Sequence, residues 1–161
     1  MITALFGLLG VIIGGLITFL TSSNLERRRE RRDDDRERKR RATELKTAIR
    51  LTLEEFVRAA AACQLATEDK KQWWEPPNSV NTDSWTQSRA SLAAEVPSGV
   101  WISLTNAAFA EERLIQFRAE ALAKHETAPS DWQSKFIAEH VLPNLREAAE
   151  HLRIEHNRCR D

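Results

Sequence analysis

The chain has 161 residues, with 24 basic and 24 acidic side chains and a formal net charge of zero. That balance is uneven: Glu26 to Arg41 holds ten basic and six acidic residues, whereas 42–161 holds 14 and 18. The larger part is therefore slightly acidic and lacks the electrostatic footprint that phosphate backbones require, which argues against a nucleic-acid partner.

The first element is a run without charge. Ile2 to Leu20 are apolar or small, and at about 1.5 Å per residue they extend roughly 28 Å as a helix, close to the thickness of a bilayer core. Met1-Ile2-Thr3-Ala4 carries no basic side chain, and Ile17 to Ser23 offers no Ala-x-Ala cleavage pattern, so the expectation is an uncleaved anchor over 1–23. All the flanking positive charge lies on its C-terminal side. That predicts a single-pass protein of the inner (plasma) membrane, N-terminus outside and C-terminal part in the cytoplasm. Thr3, Gly7, Gly10, Gly14 and Thr18 form a stripe of small residues, and Gly10-x-x-x-Gly14 predicts self-association of this helix into a homo-oligomer.

Residues 24–44 read as an arginine-rich stalk. Between Glu26 and Glu44 the only apolar residue is Ala42, so no coiled-coil seam can form, yet the absence of Gly and Pro favours a solvated helix. Acidic residues four before basic ones at Asp34/Arg38, Asp35/Lys39 and Glu37/Arg41 support it, and Asp33-Asp34-Asp35 works against it. Arg27, Arg28, Arg29, Arg31 and Arg32 lie where anionic lipid headgroups would attract them.

Residues 45–161 are expected to form a small antiparallel helical bundle, making the chain all-α. Leu45, Ala48, Ile49, Thr52, Leu53, Phe56, Ala60 and Cys63 recur at three- and four-residue steps, the mark of one buried helical face that ends near Thr67. A loop follows over 68–82, containing Pro76-Pro77. Ser84-Trp85-Thr86-Gln87 fits a capping box for a second helix, which stops at Val96 before Pro97. A third helix, 98–124, should bury Val100, Trp101, Leu104, Ala108, Leu114, Ile115 and Leu122. Ser130-Asp131-Trp132-Gln133 is a second capping box. The fourth helix should turn Trp132, Phe136, Val141, Leu145, Ala148 and Leu152 inward and kink near His140, because Pro143 removes a backbone donor.

Chemistry-bearing motifs are missing. Of five glycines, four lie in the expected anchor and only Gly99 lies beyond it, so neither a phosphate-binding loop nor a dinucleotide fingerprint can be built. GxSxG, HExxH and EF-hand spacings are absent, and no histidine follows a glutamate at the spacing of bundle di-metal sites. Glu147, His151 and Glu155 share a helical face but read as a solvated surface, as do Glu54-Glu55 and Glu111-Glu112. Cys63 and Cys159 belong to no cluster, and a cytoplasmic location would keep both reduced. The expectation is a non-enzymatic protein with no cofactor and no metal.

Trp73, Trp74, Trp85 and Trp132 fall in or beside loops that an up-down bundle gathers at one end, and they are candidates for a partner surface. The leading expectation is a membrane-tethered helical module that binds a protein partner. Two alternatives share the layout: a structural stalk and a phage lysis or exclusion protein. The span and charged helix are similar in outline to the membrane-anchored stalk subunit of rotary ATP synthases, but the loops at Pro76-Pro77, Pro97 and Pro129 depart from a single long helix.

Overall fold

The computed structural model describes residues 29–68 and 71–159 in full, and the backbone alone for 2–28 and 69. The described residues are helical with no strand. The chain divides into two compact units, Met1–Ala42 and Thr43–Asp161. Helix α1 (Ile2–Gln64) provides the first unit and, from residue 43, the first helix of the second. Among the described residues, no helix is long and apolar enough to cross a membrane. The expected anchor, 1–23, lies outside the residues described in full, as do Gly7, Gly10 and Gly14 within it.

In the first unit, residues 29–42 are exposed on every side. This follows from a sequence with no apolar stripe to bury. Glu37 pairs with Arg41 four residues on, and Asp33 with Arg36 three residues on. Solvated pairs of this kind contribute little beyond local helix support.

The second unit is a bundle of four helices, the last one bent. They are the end of α1, α2 (Asp83–Glu95), α3 (Ser98–Ala123), and α4 (Asp131–Phe136) running through a π turn (Ile137–Val141) into α5 (Leu142–Arg158). Its core draws on all of them: Ile49, Phe56 and Cys63 from α1, Leu92 from α2, Leu104, Leu114 and Phe117 from α3, and Ile137, Leu145 and Leu152 from the bent helix. Each large apolar side chain buried in this way stabilises the fold by about 1.5–3 kcal/mol before entropy is counted.

Helix ends follow local chemistry. Ser130 and Gln133 form a capping box, with the Gln133 amide donating to Ser130 Oγ and the Ser130 amide donating to Gln133 Oε1. At the end of α3, His125 adopts φ 58° and stands where glycine is usual. Its amide donates to the Leu122 carbonyl, and the Glu126 amide to the Ala121 carbonyl, the paired bonds of a Schellman stop. The kink expected at Pro143 is a π turn: Leu142 N–H reaches back to the Ile137 carbonyl, and Asn144 Nδ2 donates to the His140 carbonyl at 2.7 Å. A wider turn removes the clash that a proline ring makes with the preceding helical carbonyl.

Three expectations are corrected. The capping box at Ser84 does not form. Helix α2 begins one residue earlier, at Asp83, and Ser84 and Trp85 point their amides at the Glu55 carboxylate on α1, at 2.7 and 3.0 Å. A distant anion at a helix N-terminus thus replaces the local cap. Leu122 and Trp132, expected inside, are exposed. Glu55 and Glu111, expected in solvent, are buried.

Candidate functional site

Two places in the second unit combine unusual chemistry with a defined geometry. The first is a buried acidic centre between α1 and α3. Glu55 is occupied, since its two oxygens hold the start of α2. Glu111 is 0% exposed, and neither carboxyl oxygen has a hydrogen-bond partner. Burial raises its pKa to about 9; the nearby Glu55 and Glu112 add to the rise, and Arg58 opposes it. Burial also raises Glu55, against the pull of the Trp85 and Ser84 amides. Cys63 is buried in the same core, and its thiol is pushed far up, first by burial and then by Glu111. A neutral acid and a protonated thiol make no nucleophile, since the thiolate is the reactive form. No group of three or more His, Cys, Asp or Glu among the described residues is placed to hold a metal. Glu147 is exposed, and Glu155 bonds to Arg158 rather than converging with His151.

The second place is a groove of about 410 Å³ between α3 and the bent helix. Asn106, Phe109 and Arg113 line one wall, and Phe136, His140 and Asn144 the other. The helical repeat explains the first wall: positions 102, 106, 109 and 113 fall on one face of α3, opposite the buried 104, 107, 111 and 114. The π turn explains the second, because its extra residue per turn shifts His140 and Asn144 relative to a regular helix. An aromatic cluster adjoins the groove. Trp132 stacks on Phe136 with centroids 5.7 Å apart. Phe117 meets both rings edge to face, and the Arg113 guanidinium lies 4.8 Å above the Phe117 centroid. Phe136 in turn contacts the His140 ring at 5.0 Å.

This face is poorly covered for its chemistry. Phe109 is 66%, Ile102 60% and Trp132 59% exposed, the most exposed large apolar side chains of the described residues. Ile102 and Phe109 project from the same face of α3, and Trp132 belongs to the ring cluster beside the groove. Scattered apolar residues on a surface are ordinary, but clustering around a concavity is the feature of interfaces.

Of the tryptophans taken as a surface, Trp73, Trp74 and Trp85 are buried and only Trp132 is outside. Trp85 stacks on Trp101 at 5.3 Å and tilts against Phe56. Trp73 and Trp74 pack edge to face, and Trp74 Nε1 donates to the Pro77 carbonyl. Trp73 and Trp74 stand in the 71–82 loop and Trp85 on α2, and all three pack into the core of the bundle. Arg29, Arg31 and Arg32 are exposed, and Arg27 and Arg28 lie outside the residues described in full. Sequence reading missed Ile102, Phe109 and the groove's polar walls. The available signal was the pair of apolar residues at 102 and 109, seven apart and out of phase with the buried stripe. Comparison with protein-family models, with curated proteins and with solved structures gives no match to this chain.

Proposed function

We propose that the chain is a non-enzymatic, membrane-tethered docking module. Residues 1–23 anchor it in the inner membrane, the 24–44 stalk spaces it from the surface, and an antiparallel bundle presents the α3 groove to a protein partner in the cytoplasm. The observation that carries the docking reading is the exposure of Phe109, Ile102 and Trp132 around one groove. Aromatic side chains of this kind, near polar groups able to fix orientation, are the usual anchors of protein interfaces. The anchor rests on the charge-free run Ile2 to Leu20, and its orientation on the basic residues that follow.

The buried acidic centre supports the non-enzymatic reading, because burial raises the Glu111 pKa to about 9, Glu55 is committed to the Ser84 and Trp85 amides, and both are sealed from solvent. The test places a photoreactive residue at 109 or 132 in cells, with position 89 on the exposed side of α2 as control. The chain should sediment with membranes and form one defined adduct from 109 and 132 but not from 89. Recovery of the chain in the soluble fraction would remove the tether. Equal labelling from all three positions would remove the docking face.

A further inference from the structure

Resting on that docking reading, we infer that the α3 groove receives an amphipathic helix whose apolar anchors are flanked by carboxylates. The wall on α3 runs from Asn106 to Arg113, which is about 10 Å at helical rise, and Ile102 lengthens the face to three turns. A partner helix with apolar side chains at i, i+4 and i+7 presents anchors over the same length, the geometry of helix-in-groove recognition. Phe109 and Phe136 from opposite walls supply the apolar grip.

Charge then selects among amphipathic helices. The groove's lining contains Arg113 and His140 with two asparagines, and no carboxylate. The acidic neighbour of His140 is already engaged, as Glu139 faces Lys135 at 4.0 Å. Arg113 is also held in place. It lies over the Phe117 ring and donates one N–H to Gln116 Oε1, at 2.8 Å. A guanidinium over a ring still has N–H edges that match a carboxylate in bidentate fashion. A basic helix laid in the same groove would bring like charge against Arg113 with no acid in the lining to offset it.

Two synthetic helical peptides test this on the full chain in nanodiscs of zwitterionic lipid. Both carry leucines at i, i+4 and i+7 and a central benzophenone; the polar positions are all Glu in one and all Lys in the other. Adducts mapped by mass spectrometry should fall on the two groove walls, with the Glu peptide favoured about tenfold, as expected for a charge-assisted hydrogen bond. Arg113→Glu should reverse that preference, and Arg113→Gln should abolish it while labelling continues. Arg113 is exposed, so neither change threatens the fold. Equal labelling of the groove by both peptides would overturn the acidic partner but keep the docking face. No labelling would overturn the inference, with the in-cell adducts still judging the docking face separately. An in-cell adduct from 109 or 132 that proves to be a second copy of the chain would also overturn it, in favour of self-association.

Discussion

Glu111 illustrates how a single side chain can oppose the fold that contains it. A buried acid without a partner costs about 1–3 kcal/mol relative to one that is satisfied. Its folded pKa, raised to about 9, lies above that of the unfolded chain. The native state therefore binds the proton more tightly. The associated stability is full below about pH 4.5, the ordinary glutamate value, and is lost as pH rises toward 9. Denaturant midpoints measured from pH 5 to 9 should fall steadily for the wild type. Glu111→Gln should flatten that dependence, and Glu111→Met should raise the midpoint at pH 8; a pH-independent wild type would refute the assignment. At this scale the sequence was least informative. Glu55 and Glu111 each stand next to a second glutamate that is exposed, and nothing in a Glu-Glu pair says which member faces inward. The answer depends on the phase of the helix against its neighbours, and for Glu55 on where α2 begins.

Elements were more legible, because their limits are set by residues close in sequence. Proline at 97 and 143, the box at 130–133 and the helical periodicities led to ends within a few residues of those observed. The start of α2 failed because its cap is supplied from 29 residues away. The end of α3 shows a different limit: no glycine marks it, and His125 occupies the left-handed position instead. Two substitutions on this connection should act in opposite directions. Ser130→Ala removes the cap of α4 and should lower stability by about 1 kcal/mol. His125→Gly relieves the side-chain crowding of a left-handed residue and should raise it by about 1 kcal/mol. Chemical denaturation of both variants checks the signs, and a destabilised His125→Gly would mean that the imidazole contributes more than its backbone costs.

At the level of the whole molecule, the described core lies entirely between Ala48 and Leu152, inside the second unit. A fragment of residues 43–161 should therefore fold alone, with a helical circular dichroism spectrum and one cooperative melt. Phe56→Ala, which empties a fully buried site, should reduce its stability by about 3–5 kcal/mol. A gradual, non-cooperative melt of the fragment would show that the first unit takes part in folding. The helical class was readable from periodicity alone. The groove was not, because it arises where α3 lies beside a helix that carries a π turn, and its polar walls have no sequence signature of their own.

The distribution of the indoles makes the protein its own optical reporter. Trp73, Trp74 and Trp85 are enclosed and Trp101 is half-covered, while Trp132 alone meets solvent broadly, beside the groove. The emission should thus contain two populations: a blue one that acrylamide reaches slowly and a red one that it reaches at once. A groove occupant that extends over the Trp132–Phe136 stack shields the second without touching the first. Occupancy becomes a change in quenching that needs no added dye, and Trp132→Phe, by deleting the red component, supplies the blank.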